Sequence, residues 1–191
     1  MILSYEPVPD DESPERIAVE APGSHCVSCA YKEEVLAALH DLKPRNGARL
    51  VLFDTDVAGL REAERQALAR RVGFVPASGG LMSSLNAWEN ISLPLGYHAP
   101  RKLRGAHEEV RALVDEIGGV DDDLLAKLPE DMTLYERRLA AYLRALLESP
   151  DLLVMESLGA GLGPAKRERA ARFAEVYRKR CPGGTFVQFD G

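Results

Sequence analysis

Residues 80–95 read Gly-Leu-Met-Ser-Ser-Leu-Asn-Ala-Trp-Glu-Asn-Ile-Ser-Leu-Pro-Leu and follow directly on the glycine turn Ser78-Gly79-Gly80. The stretch opens a long helical run, from about Trp88 to Leu147. Within that run Val110, Leu113, Val114 and Ile117 obey the i, i+3, i+4, i+7 rule of an amphipathic helix. Tyr135, Leu139, Tyr142, Leu143 and Leu146 do the same on a longer one. Outside the run the pattern changes. Short apolar segments at Ile17–Val19, 26–29, 50–53, 73–75, 152–155 and 186–189 alternate with helical stretches. Several of these segments lack polar alternation, as strands covered on both faces do. A helix at 32–42 aligns Val35, Leu36 and Leu39. A charged helix at 165–179 has Phe173, Val176 and Tyr177 as its apolar seam. The alternation predicts an α/β fold with a mostly parallel sheet, and 88–147 reads as a helical subdomain inserted between two parts of it.

The bulk numbers agree with a folded domain. The chain has 191 residues, 46% of them hydrophobic, enough for a well-buried core. The formal net charge of -6 repels nucleic acid, and no basic stripe interrupts it. No apolar run approaches the ~20 residues needed to span a bilayer, and the N-terminus lacks the features of a signal peptide. A cytoplasmic location is expected. Residues 1–16, rich in Pro, Asp and Glu, read as a loose arm, and 17–191 as one domain. Three cysteines are too few for a disulfide framework. Cys26 and Cys29 form a C-x-x-C on an expected strand, not at the helix N-terminus that a redox pair uses, and they read as buried core cysteines. Cys181, His40, His98 and His107 are scattered and supply no zinc set.

Several segments, in order, resemble the nucleotide-binding domain of ATP-binding-cassette (ABC) transporters, a P-loop NTPase fold. Leu42-Lys43-Pro44-Arg45-Asn46-Gly47 resembles the turn after the first core helix, and 50–60 the strand and turn that follow. Arg71-Val72-Gly73-Phe74-Val75 resembles the strand leading to the Q-loop. The 80–95 stretch is the most specific match, and its Pro94-Leu95 ending is similar to systems that move lipids or lipoproteins, including the Mla/Mce type. Ser149-Pro150-Asp151-Leu152-Leu153-Val154-Met155 resembles the Walker B strand, and Gly161-Leu162-Gly163-Pro164 stands where the D-loop belongs.

The resemblance fails where the chemistry should be. In the family, backbone N–H groups of a glycine-rich loop wrap the phosphates and its lysine reaches them. Here only Ala30-Tyr31-Lys32-Glu33 lies between strand and helix, and none is glycine. Residues with a Cβ do not readily take the φ > 0 turns of an anion nest. Lys32 remains near the right place, read as a solvated lysine in the first helical turn, with Glu33 and Glu34 beside it repelling phosphate. The Q-loop glutamine position holds Ala77. The signature loop reads Met132-Thr133-Leu134-Tyr135. The Walker B acid is Glu156, the catalytic glutamate position is Ser157, and the D-loop aspartate position is Gly163. No switch histidine follows the strand at 186–189, which runs out at Gly191. Phosphoryl transfer is positioning and charge stabilisation, so these losses predict a pseudo-ATPase that takes no cofactor. The alternative is a residual ATPase with Lys32 on phosphate and Glu156 on Mg²⁺.

The resemblance also implies partners. A family groove between sheet and helical insertion receives a short helix of a membrane permease. Leu81, Met82, Trp88, Pro94 and Tyr97 are the expected contacts here, a helix-in-groove mode. The expected assembly is a transport complex containing a permease. Its second cassette is an active ATPase or a second copy of this chain, and membrane association runs through the permease. A lipid-like cargo rests on the 80–95 resemblance alone, and a stand-alone protein-binding module is the third reading.

Overall fold

The computed structural model describes residues 1–7, 16–44, 46–118, 120–121 and 123–190. Most of the expected 1–16 arm (residues 8–15), Arg45 of the 42–47 turn, and Gly191 lie outside the described residues. In chain order the elements are β1 (Leu3–Glu6), β2 (Ile17–Val19), β3 (Gly23–Val27), α1 (Lys32–Asp41), β4 (Arg49–Leu52), β5 (Thr55–Asp56), α2 (Glu62–Ala69) and β6 (Val72–Val75). There follow α3 (Ala87–His98), α4 (Leu103–Ile117), α5 (Leu134–Leu146), β7 (Leu152–Glu156), α6 (Pro164–Arg180) and β8 (Thr185–Phe189).

The parallel sheet has the order β3-β8-β7-β6, with Val72 opposite Leu152 and Leu152 opposite Thr185. Beside it stands a second, antiparallel sheet of order β2-β1-β4-β5, which the sequence pattern did not separate from the first. Strand β1 corrects the reading of 1–16 as a loose arm. Leu3 pairs with Leu52 and Tyr5 with Leu50, and both side chains are buried. The acidic, proline-bearing residues that follow dominate the composition of the segment and mask a four-residue strand at its start.

Strand β7 holds the layers together. Successive strand residues face opposite sides. Leu153 and Met155 enter a core under the helices, while Leu152 and Val154 enter a second core with Leu3, Tyr5, Val35 and Leu39. This two-sided cover explains its unbroken apolar run. The helical core is built on α5, whose Tyr142 ring stacks 4.4 Å from Phe173 of α6 and donates its hydroxyl to the Phe173 carbonyl at 2.9 Å. Tyr177 likewise donates to the Pro150 carbonyl at 2.7 Å.

The 80–95 stretch folds around Asn90, which is fully buried. Its amide accepts from the Met82 N–H at 2.7 Å and donates to the Leu85 carbonyl at 2.8 Å, so the loop 82–86 is closed on the helix it precedes. Helix α3 starts in a capping box: Asn86 accepts from the Glu89 N–H, and Glu89 from the Asn86 N–H, each at 2.8 Å.

Candidate functional site

The C-terminal ends of parallel strands are where open α/β sheets place ligands, and here they bring together the residues singled out in the sequence. Strand β3 ends at Val27 and α1 begins at Lys32, leaving Ser28-Cys29-Ala30-Tyr31 as the connection. The helix begins at Lys32, where the apolar pattern puts it, so Lys32 and Glu33 of the 30–33 stretch are already helical. None of these four connecting residues has a positive φ. The Glu34 and Val35 N–H groups both turn back to the Tyr31 carbonyl, at 3.1 and 3.2 Å.

Lys32 is not a freely solvated lysine. Its Nζ donates to Ser157 Oγ at 3.2 Å, across from α1 to the end of β7. Ser157 holds that position with φ +47° and donates its N–H to the Phe189 carbonyl at 2.7 Å. Glu156 is also engaged: its carboxylate accepts the Ala77 N–H at 2.9 Å. A cavity of about 310 Å³ beside Glu156 is bordered by Glu33, Asp41, His40 and Phe74. Three carboxylates therefore line this cavity.

A residue that sequence reading passed over ties these loops together. Arg138 of α5 is buried, and its Nε donates to the Ala77 carbonyl at 2.7 Å. Its Nη1 donates to the carbonyls of Leu158 and Ala160 at 2.9 and 2.6 Å. Burial pulls the guanidinium below its ordinary pKa, against the upward pull of Glu156. The sequence carried a signal: Arg138 is a charge on the helix face that Tyr135, Leu139 and Tyr142 make apolar. The 76–80 turn can approach α5 because Gly79, at φ +93°, lacks a side chain. A Cβ there would lie 2.9 Å from the Arg137 backbone.

The fit of this site to Mg²⁺ and a triphosphate can be tested on its own atoms. An anion nest needs consecutive N–H groups in alternating hand, and the 28–31 connection has no left-handed residue. The one lysine is bonded to Ser157, and the one candidate metal carboxylate is bonded to Ala77. Among the described residues no cluster of three potential ligands could hold a metal ion. The residues present do not fit the group.

Solved structures settle the architecture. A dimeric post-hydrolysis state of the ATP-binding cassette MJ0796 bound to ADP and Pi superposes with a TM-score of 0.77, covering 99% of this chain and 88% of that one at 15% identity. The fold is that of an ATP-binding cassette. The cassette cbiO1 from Clostridium perfringens, part of the transporter complex cbiONQ, matches similarly, with a TM-score of 0.75 over 99% of this chain and 78% of its own at 14% identity. No protein-family model matches the chain. Among curated relatives, the methionine import ATP-binding protein MetN of Rhizobium johnstonii is 28% identical over 156 residues, covering 80% of this cassette and 41% of the relative. The ergothioneine transport ATP-binding protein EgtV of Helicobacter pylori is 23% identical over 121 residues, covering 63% of this cassette and 55% of the relative. The chain thus spans about half the length of these relatives or less.

The expected docking residues divide into two groups. Met82 and Tyr97 stand at the surface, 50% and 78% exposed. Leu81 and Trp88 pack on the helical core, and the Trp88 ring meets His107 edge-on at 4.8 Å. Pro94 is half-buried inside α3. The cysteine reading needs correction: Cys26 is exposed and Cys29 half-buried, because β3 is the edge strand of its sheet. The Cys26 thiol donates to Asp190 at 3.1 Å, and that bond, with burial adding to it, pushes its pKa up. A raised thiol is a poor nucleophile.

Proposed function

We propose that this cassette works as a nucleotide-independent subunit of a membrane transport complex, holding a permease helix against the groove beside residues 81–97. The observation that carries this reading is the connection from β3 to α1. It is short, has a Cβ on every residue and no left-handed residue, and its lysine is turned to Ser157. Catalysis of phosphoryl transfer depends on several positioned groups at once. The engagement of Glu156 by Ala77, and of Ala77 by Arg138, supports the same reading, since these bonds occupy the loops that a bound nucleotide would organise. A second subunit, an active ATPase or another copy of this chain, would complete the complex. No helix among the described residues is long and apolar enough to cross a membrane, so the permease supplies that part.

The names of the relatives favour one class of cargo. They speak of methionine import and ergothioneine transport, so import of an amino-acid-like solute is better supported than a lipid cargo resting on the 80–95 resemblance.

Thermal unfolding in a titration with Mg·ATP tests the reading. A nucleotide that binds only the folded chain raises the Tm by mass action, by about 2.7 kcal/mol of stabilisation at a hundredfold excess over Kd. No shift is expected at millimolar ATP. The same names contain "ATP-binding", which favours the residual ATPase as the second reading. A rise in Tm with ATP that is abolished in Lys32→Ala would establish it and end the first.

A further inference from the structure

We propose that the partner segment entering this groove is acidic, and that Arg144 is the ionic anchor awaiting its carboxylate. The proposal rests on the docking reading above and adds the chemistry of the partner.

The chain carries a formal net charge of -6, yet three of its cations and His98 lie around one carboxylate. Arg70 at the end of α2, His98 at the end of α3, Lys102 just beyond it and Arg144 on α5 all act on Glu148. Three permanent cations outnumber that single carboxylate. Among the described residues, neither these four side chains nor Glu148 makes a hydrogen bond or ion pair. Two other cations are paired differently: Lys127 contacts Asp121, Asp123 and Glu136, and Arg138 donates to three carbonyls.

Arg144 is the informative member. It is half-buried, and burial pulls its guanidinium below the ordinary value while Glu148 pulls it up. A cation removed from water without an acceptor is unfavourable in the isolated chain. The arrangement becomes favourable when an acceptor arrives from outside. A planar guanidinium is well suited to a two-pronged carboxylate. The position fits this role. Arg144 Nη2 lies 4.0 Å from where a Cβ on Gly80 would be, directly before Leu81 and Met82. Tyr97, 78% exposed, adjoins His98 of the same cluster. Exposed Met82 and the Arg144 guanidinium thus stand beside the same 80–82 turn, which suits a helix with an apolar face and an acidic flank. A flat anionic bilayer reaches exposed Arg70 and Lys102 but not a half-buried guanidinium.

Two synthetic helical peptides with identical apolar faces, one flanked by Glu and one by Lys, test this by fluorescence anisotropy with the full chain. The Glu peptide is expected to bind about tenfold more tightly. Arg144→Gln should remove the preference without lowering the Tm, because Arg144 makes no hydrogen bond or ion pair among the described residues. The exposed double variant Arg70→Gln/Lys102→Gln should reduce the preference in the same direction. Met82→Ser should weaken both peptides. Equal affinities, or a preference that survives Arg144→Gln, overturn the acidic partner; if Met82→Ser still weakens both peptides, groove docking stands. Binding of neither peptide, or binding that ignores Met82→Ser as well, overturns docking too. Tighter binding to phosphatidylglycerol vesicles than to the Glu peptide also overturns the proposal, reassigning the cations to a membrane surface.

Discussion

Two arginines on one helix show how differently a charge can be buried. Arg138 has every contact supplied from within: the Ala77, Leu158 and Ala160 carbonyls surround it. Arg144, six residues later, makes no hydrogen bond or ion pair among the described residues. Deleting the first leaves three carbonyls without their donor. Each buried orphaned acceptor costs roughly 1–3 kcal/mol, so Arg138→Met is expected to destabilise by about 3 kcal/mol overall. Urea denaturation at constant m-value measures it, and a loss under about 1 kcal/mol would contradict the bonding described. At this scale the sequence shows directly where it departs from the family pattern, since the residue type at each position is visible. It was silent about replacements. Nothing in the order of residues indicated that Lys32 would turn to Ser157 or Glu156 to Ala77, because those partners are 125 and 79 positions away. Arg138 was visible as a charge on an apolar stripe, but its three acceptors belong to loops whose course only the fold determines.

Among the elements, the strands and helices of the second half follow closely from apolar periodicity. Helix α5 spans Leu134–Leu146 and buries Tyr135, Leu139, Tyr142 and Leu143 as the stripe required. Its start is fixed by a capping box in which Thr133 and Glu136 bond reciprocally. Strand β1 was illegible because four residues are too few to establish a period, and a neighbouring acidic run outweighed them. The antiparallel sheet went unseen for a related reason: its strands span only two to four residues each. Elements approach closely at Gly73 of β6. A Cβ there would lie 2.7 Å from Leu153 Cδ1 and 3.1 Å from both Ala145 Cβ and Pro150 Cγ. Gly73→Val should therefore separate β6 from α5 and β7, at about 1–3 kcal/mol as for other overpacked cores. A thermal melt of the variant against the parent chain checks this, and an unchanged Tm would mean the three neighbours yield freely.

For the molecule as a whole, β7 gives both cores a common wall, with alternate residues in each. Neither cluster can lose its packing without exposing the other face of the same strand. Unfolding is expected to be one cooperative transition. The single tryptophan, Trp88, reports on the helical side, while far-UV circular dichroism averages over all elements. Their denaturation midpoints should coincide; separated midpoints would show the two cores melting independently.

The Lys32–Ser157 contact also bears on any effort to engineer an acid into position 157 of this chain. The obvious repair, a carboxylate at position 157, would put an acid within reach of an ammonium group now 3.2 Å from the serine oxygen. Opposite charges at such a distance attract far more strongly than amine and hydroxyl, so the graft would clamp the mouth of the cleft shut. Side-chain swaps alone are therefore the wrong starting point. An engineered nucleotide site has to begin with lengthening the main chain between strand and helix, and only then with the acid.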